Sequence, residues 1–203
     1  MRGLMKIRAC GCVLLVVVIC SISCGPNVGS PDEVAVLETS YGRIVIEFLP
    51  DAAPKHVATF KELFRERFYD ETKIHQVLRD QGRPIVIQGG DPNSVNGAPA
   101  TWGAGAPGQK TIRAEISPTL THKRGTVSAA HKPKEKDTAA SQFFICLTDE
   151  PRFDGQYTIF GRVVEGMNVV DTIGRAPVVQ GTDRPIDPVV INHAYLANRN
   201  EIK

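Results

Sequence analysis

Three short runs hold the side chains of this sequence that could do chemistry. They are Gln88-Gly89-Gly90-Asp91-Pro92, Ser141-Gln142-Phe143-Phe144-Ile145-Cys146 and Phe153-Asp154-Gly155-Gln156-Tyr157-Thr158-Ile159-Phe160-Gly161. The five histidines of the chain show no metal-ligand spacing. Cys146 lies in an apolar run of strand character, which favours a small buried core residue over a reactive thiol. Nothing in these runs therefore demands a metal or a cofactor.

The order of these runs resembles that of the cyclophilins, the barrel-shaped peptidyl-prolyl cis/trans isomerases. Glu165-Gly166-Met167-Asn168-Val169-Val170 follows the third run, as that family requires. The resemblance implies rotation about X-Pro amides, which needs no nucleophile or metal. Amide resonance sets a barrier of about 18 to 20 kcal/mol, so the catalyst must favour a twisted amide. An apolar pocket for the proline ring and fixed polar groups for the rotating carbonyl would serve this purpose.

The resemblance also assigns roles to individual positions. Gln88 matches the polar residue beside the reacting amide, and Gln76 stands where the family carries its catalytic arginine. Phe143 and Phe144 alternate along a strand, so one of them faces the barrel interior, and the resemblance makes Phe144 the pocket residue. Arg152 replaces a common Trp or His, and His131 a common Asn. The implied substrate-binding positions are Ile85, Val86, Ala130, His131, Phe144, Arg152, Phe153 and Tyr157.

The replacement of arginine by Gln76 bears directly on activity. Hydrogen bonds from charged donors contribute about 1.5 to 3 kcal/mol, against about 1 kcal/mol for neutral ones, so catalysis should slow by about one to two powers of ten. The segment after Leu78 is longer than the family's short link and contains Arg79 and Arg83. One hypothesis is that either arginine replaces the missing guanidinium. The alternative is an exposed loop whose charges are solvated.

Two functions follow from the resemblance, and both have proline-containing polypeptides as partners. The first is a peptidyl-prolyl cis/trans isomerase that assists the folding of exported proteins, with activity reduced at Gln76. Such steps take tens of seconds or longer without catalysis. The second is a non-catalytic, chaperone-like module that uses the same pocket to hold proline segments. Retention of Gln88 and Phe144 favours the enzyme.

Hydrophobic periodicity predicts one domain over residues 32–198, with a tail at 199–203. The expected fold is mainly β, a closed antiparallel cyclophilin-like barrel of about eight strands with two peripheral α-helices. Residues 86–109 are rich in Gly, Pro and Asn and predict a long ordered loop. Strands are expected over 34–39, 43–48, 125–130, 141–147, 158–163 and 189–196, and helices over 51–67, with an Asp cap before Pro54, and over 165–173.

The amino-terminal residues predict export. Arg2, Lys6 and Arg8 precede an apolar run, which is typical of a signal peptide over residues 1–23. Cys24 behind Ser23 resembles a lipoprotein cleavage junction, with residues 24–31 as a tether. The expected location is the cell envelope, with the protein anchored to a membrane through lipid on Cys24. Cleavage by ordinary signal peptidase, which would release a soluble protein, is the alternative.

Charge excludes one class of partner. The chain has 24 basic and 22 acidic residues, and three basic residues leave with the signal peptide, so the remaining charge is 21 minus 22, or −1. This balance offers nothing to attract nucleic acid. Cys146 is then the single cysteine of the folded part, so an internal disulfide is impossible. We expect a monomer.

Overall fold

The structure is a computed structural model that describes residues 32–202. Eight strands form a closed barrel in the order β1-β2-β7-β5-β6-β4-β3-β8, and every neighbouring pair is antiparallel. Closure leaves no unpaired sheet edge. The predicted mainly-β closed barrel is confirmed. The strands are β1 Glu33–Thr39, β2 Gly42–Phe48, β3 Lys73–Asp80, β4 Arg83–Gly89, β5 Thr126–Ala129, β6 Phe143–Cys146, β7 Ile159–Glu165 and β8 Val189–Asn198.

The strands expected over 34–39 and 43–48 pair as the β1–β2 hairpin, which is buried on both faces. Ile44, Ile46 and Phe48 belong to the barrel core. On the outer face, Val45 packs with Val34 and Val36, and residues of β8 and the carboxyl-terminal segment cover them. The segment after β8 is part of the folded domain, because Ile202 packs on this outer face. A short 3-10 turn, Arg199–Glu201, connects it to the strand.

Within residues 32–202, three α-helices accompany the barrel instead of the two expected: α1 Pro54–Arg65, the short α2 Asn93–Asn96 and α3 Met167–Gly174. The prediction of an Asp cap for α1 is wrong, because the N-cap is Ala53 and makes no side-chain hydrogen bond. The Glu115 carboxylate instead accepts hydrogen bonds from the backbone N–H groups of Lys55 (3.1 Å) and His56 (2.9 Å). A residue distant in sequence thus satisfies the helix's free donors.

Aromatic side chains fill the space between α1 and the barrel. Phe60 of α1 stacks on Phe160 of β7 with ring centroids 4.0 Å apart. Tyr69 is fully buried, and its hydroxyl donates to the Ser141 carbonyl oxygen at 2.9 Å. Phe143 of β6 meets the Tyr69 ring edge-on. This packing fixes the inner face of β6 and leaves its outer face available for a site.

The segment predicted as one long loop over residues 86–109 is partly regular. Residues 86–89 belong to β4, and α2 and the 3-10 turn Pro99–Thr101 interrupt the remainder. Two further 3-10 turns, Lys136–Thr138 and Pro151–Phe153, flank β6. Within residues 32–202, no helix has the length and apolar character needed to cross a membrane. The predicted signal peptide, Cys24 and tether lie outside the described residues.

Candidate active site

An aromatic cluster forms on the outer face of β6. Phe143 faces the barrel core, whereas Phe144 packs with Val86 and Cys146 on the opposite face. Strand geometry explains the split, because successive side chains point to opposite sides of a sheet. Phe153 and Tyr157, both half-buried, complete the cluster from the segment before β7. Ala130 and Leu78 also pack against it, so the structure brings together five of the predicted substrate-binding residues: Val86, Ala130, Phe144, Phe153 and Tyr157.

The rings of the aromatic cluster meet edge to face. The Phe144 centroid is 5.1 Å from that of Tyr157 and 5.7 Å from that of Phe153, with interplanar angles of 85° and 70°. Phe153 and Tyr157 are 5.4 Å apart at 80°. Such mutually perpendicular rings hold each other in place. With Phe144 buried between them, the half-exposed Phe153 and Tyr157 can grip a small apolar ring.

His122 lies against this cluster and was not identified from the sequence. Its ring is parallel to Phe144 at 6.0 Å, and the residue is only 1% exposed. Nδ1 contacts the Asp154 carboxylate at 2.8 Å, and Nε2 contacts the Ser128 hydroxyl at 3.0 Å. Burial lowers the pKa of His122, although the bond to Asp154 opposes this shift. A neutral imidazole therefore supports the pocket floor, and only the fold places it there.

A cavity of about 780 Å³ adjoins the aromatic cluster. This volume lies within the range of small-ligand pockets. It is lined by Gln76, Gln88, Ala130 and His131 of the predicted site, and it shares Leu78, Ala130 and Tyr157 with the cluster. The walls that sequence reasoning missed include Gln142 and the segment 103–108. Gln142 stands in one of the runs that carried the resemblance, so its position was a usable signal.

Hydrogen bonds link the amides of this cavity. Gln88 Nε2 donates to Gln142 Oε1 at 3.0 Å, and Gln142 Nε2 donates to the Gly103 carbonyl oxygen at 3.0 Å. Because β4 pairs with β6, Gln88 lies directly opposite Phe144. The Gln88 amide is thus held beside the aromatic cluster by a defined set of partners.

Gln76 lies opposite Gln88 in the β3–β4 register, so the two side chains share the cavity wall. Gln76 Nε2 lies 3.4 Å from the Asp183 carboxylate, which can accept its hydrogen. The Asp183 backbone carbonyl also accepts the Val77 N–H at 2.7 Å. The segment around Asp183 therefore packs on β3 beside Gln76, the position to which the sequence resemblance assigns an arginine.

The structure does not support Arg79 or Arg83 as substitutes for that arginine. The Arg79 guanidinium donates to the carbonyl oxygens of Gly174 (3.2 Å) and Ala176 (3.0 Å), at the end of α3. Arg83 is exposed, and neither residue lines the cavity. The extra residues form the tip of a β-hairpin turning at Gln81 and Gly82, both with positive φ.

Arg152 and His131 lie at the rim with their polar groups already engaged. Arg152 Nε donates to Glu150 at 2.9 Å, and its guanidinium lies 5.4 Å from the Phe153 ring centroid. The His131 ring stacks on Tyr157 at 4.4 Å, and its nitrogens contact backbone carbonyls at 2.8 and 3.1 Å. In this arrangement the imidazole packs against Tyr157, and both of its nitrogens already contact backbone oxygens of the protein.

Three remaining positions complete the comparison with the sequence. Ile85 is 1% exposed, and it is part of neither the aromatic cluster nor the cavity. The backbone N–H of Ala130 is engaged by the Gln142 carbonyl at 2.9 Å. Burial raises the pKa of the Cys146 thiol to about 12, in keeping with an unreactive core residue. Across residues 32–202 no group of His, Cys, Asp or Glu side chains could hold a metal ion.

Comparison with known proteins identifies close similarities over this region. The family model for "Cyclophilin type peptidyl-prolyl cis-trans isomerase/CLD" matches residues 34–196. Peptidyl-prolyl cis-trans isomerase-like 1 of Mus musculus is 37% identical over 171 residues, covering 84% of this chain and 95% of that protein. A peptidyl-prolyl cis-trans isomerase of Helicobacter pylori is 35% identical over 149 residues, covering 72% and 83%.

A solved structure shares the fold. The crystal structure of a cyclophilin type peptidyl-prolyl cis-trans isomerase of Cryptosporidium parvum, determined in the presence of the dipeptide Ala-Pro, superposes with a TM-score of 0.70. It is 28% identical, and the match covers 81% of this chain and 98% of that one.

Proposed function

This chain belongs to the cyclophilin-type peptidyl-prolyl cis-trans isomerase family, and we propose that it catalyses X-Pro isomerisation in exported polypeptides, with Gln76 in place of the usual arginine. Isomerase activity of the cyclophilin type follows from the family. The observation that carries the assignment to this site is the Gln88 amide held opposite Phe144, where an apolar grip and a fixed polar group adjoin.

The geometry supports separate roles for the aromatic cluster and the cavity during rotation of the X-Pro bond. The proline ring would lie against Phe144, Phe153 and Tyr157, where apolar contact immobilises one side of the bond. The chain before the proline would extend along the cavity beside Gln88 and Gln142. Because these amides are held by partners in the protein, little reorganisation is needed when the carbonyl turns. The twisted amide is thereby favoured over either planar form.

Gln76 makes the proposed activity weaker than an arginine would. Its amide is a neutral donor, and one of its hydrogens is directed at Asp183. Less help is then available for localising the lone pair on the proline nitrogen. We propose that binding at the aromatic cluster and orientation by Gln88 supply most of the remaining rate enhancement.

Export and lipid attachment at Cys24 are further parts of the proposal and rest on the sequence of residues 1–31. Lipid on Cys24 would hold the barrel at a membrane of the cell envelope, where unfolded polypeptides arrive. Expression of the full chain and of Cys24→Ser, followed by membrane fractionation and intact-mass measurement, tests this. A mature protein of unmodified mass in the soluble fraction for both would refute the anchor while leaving export open.

Two-dimensional exchange NMR tests the catalytic part. The cis-to-trans rate of an Ala-Pro-Phe peptide is measured with residues 32–202 of the parent and of Phe144→Ala. Acceleration by the parent that is lost in Phe144→Ala is expected, because the variant lacks the pocket floor. Equal acceleration by both would show that catalysis takes place elsewhere.

A second function, holding proline segments with little turnover, is favoured by one observation. The cavity wall has Gln76 turned toward Asp183 where the family has a cation. The Cryptosporidium parvum structure obtained with Ala-Pro supports proline-peptide binding by this fold. Saturable peptide shifts without acceleration, lost in Phe144→Ala, would select this function over catalysis.

A further inference from the structure

Asp91 is a fully buried carboxylate next to the proposed site, with a relative exposure of 0%. It forms no ion pair within the part of the chain that the structure describes. A buried charge without a counter-ion requires hydrogen bonds to offset its lost hydration. Backbone N–H groups provide them: Asn93 donates to Oδ1 at 3.0 Å, and Gly103 and Gly105 donate to Oδ2, the latter at 3.4 Å.

These bonds hold the peptide group that carries the Gly103 carbonyl. The N–H groups of Gly103 and Gly105 lie on either side of it, so anchoring both to one carboxylate orients the carbonyl between them. Gly103 and Gly105 have φ values of +87° and +73°, a region that glycine adopts without strain. Asn93 adds a bond from its Nδ2 to the Gly105 carbonyl at 2.9 Å.

The oriented Gly103 carbonyl in turn determines how two glutamines point. It accepts from Gln142 Nε2, so the Gln142 oxygen faces away from it and accepts from Gln88 Nε2. A carbonyl can only accept, which excludes the flipped orientation of each amide in turn. Gln88 Oε1 takes no part in this series of hydrogen bonds, so it can accept a hydrogen bond from a substrate N–H group.

We propose that Asp91 is a positioning residue for the isomerase reaction, acting through Gly103 and Gln142 to set the orientation of the Gln88 amide. The proposal rests on the isomerase function for its kinetic consequence, whereas the orientation itself can be observed without turnover. Asp91 does not touch the substrate. Its two accepting oxygens matter, because an amide in its place would have only one oxygen to accept from the three backbone groups.

The test combines kinetics with side-chain NMR of Asp91→Asn, Gln142→Ala and the double variant. In Asp91→Asn, one oxygen becomes an NH₂ group that cannot accept. We expect the Gln88 side-chain NH₂ resonances to shift and kcat/KM to fall about tenfold, the effect of weakening one hydrogen bond to a reacting group. In the Gln142→Ala background, Asp91→Asn should have little further effect, because the connection is already broken.

Glu115→Gln is the matched control. Glu115 also accepts two backbone N–H bonds, but it does so at α1, so its loss should lower stability and leave kcat/KM and the Gln88 resonances unchanged. If Asp91→Asn does not fold, Gly103→Ala disturbs the same carbonyl through its positive φ and should give the same shift and loss.

Two results would overturn the proposal. One is a folded Asp91→Asn, or Gly103→Ala in its place, with unchanged Gln88 resonances and kcat/KM. The other is an undiminished kinetic effect in the Gln142→Ala background, which would show that Asp91 acts by another route. If the parent shows no turnover, the isomerase function fails, but the resonance shifts still decide whether Asp91 orients Gln88.

Discussion

Phe143 and Phe144 are neighbours in β6 with the same side chain and nearly the same low exposure, 2% and 4%. Their surroundings differ, because Phe143 packs inside the barrel and Phe144 packs among the residues of the aromatic cluster. Exposure therefore does not separate a core residue from a site residue here. The face of the strand distinguishes them. Matched substitutions at Phe143 and Phe144 therefore differ mainly in the face of β6 that they alter.

Phe144→Leu should reduce kcat/KM at least tenfold, since the branched side chain cannot present a flat face to a proline ring. Phe143→Leu should leave kcat/KM unchanged and lower the free energy of unfolding by about 1 to 2 kcal/mol through imperfect core packing. Exchange NMR and urea unfolding of both variants separate the two effects. Equal losses of activity in two fully folded variants would contradict the assignment of Phe144.

Gln76→Arg should raise kcat/KM by about ten- to a hundredfold, because a charged donor replaces a neutral one. Asp183 lies 3.4 Å from Gln76 Nε2 and is placed to pair with the new guanidinium. Gln76→Lys is the control, since it adds the charge without the planar fork. An unchanged rate in Gln76→Arg, measured by exchange NMR, would show that the cation is not what limits this enzyme.

At the scale of elements, the β3–β4 hairpin and α3 are joined through Arg79. Its guanidinium donates to the carbonyl oxygens of Gly174, the last residue of α3, and of Ala176, two residues beyond the helix. The positive charge also lies at the negative end of the helix dipole. Arg79 therefore belongs to the fold rather than to the site.

Arg79→Ala should lower the free energy of unfolding by about 1 to 2 kcal/mol, because two carbonyl oxygens lose a charged donor. It should leave kcat/KM within twofold of the parent. Arg83→Ala, which removes an exposed charge from the same hairpin, should change neither quantity. A large loss of kcat/KM in a stably folded Arg79→Ala would restore the hypothesis that this arginine assists catalysis.

At the scale of the whole molecule, three buried histidines make stability depend on pH. Burial lowers the pKa of His56, His75 and His122 below the usual 6.5, although nearby carboxylates oppose the shift in each case. The unfolded chain therefore binds protons at a higher pH than the folded one does. Stability is then fully present above the unfolded pKa and falls as the pH drops from about 6.5 toward the folded values.

Urea unfolding should accordingly give a lower free energy of unfolding at pH 5.5 than at pH 7.5. This interval lies above the range in which carboxylates titrate, so the histidines dominate the change. His56→Gln removes one of the three groups and should make the decrease smaller. A stability that stays constant over this interval, or rises toward acid pH, would contradict neutral burial of these side chains.

Local patterns in the sequence were sufficient for much of the fold. Alternation along β6 predicted that either Phe143 or Phe144 points inward, and the resemblance made Phe144 the outward one. The sequence also placed α1 and α3 to within a few residues. The order of three runs identified the barrel and brought Val86, Phe144 and Tyr157 to one surface. These properties depend on neighbours close in the chain, so they can be recognised without coordinates.

Contacts between distant segments were decided only by the closed barrel. Asp183 meets Gln76 across 107 residues, Glu115 caps α1 across 59, and Gly103 meets Gln142 across 39. Each depends on how a connecting segment packs on the outside of the barrel, which the hydrophobic periodicity of the sequence does not predict. The sequence by itself determined the kind of barrel and where most of its strands and helices lie. The tertiary structure decided which polar groups meet there, because hydrogen bonds over such distances depend on the path of every loop between them.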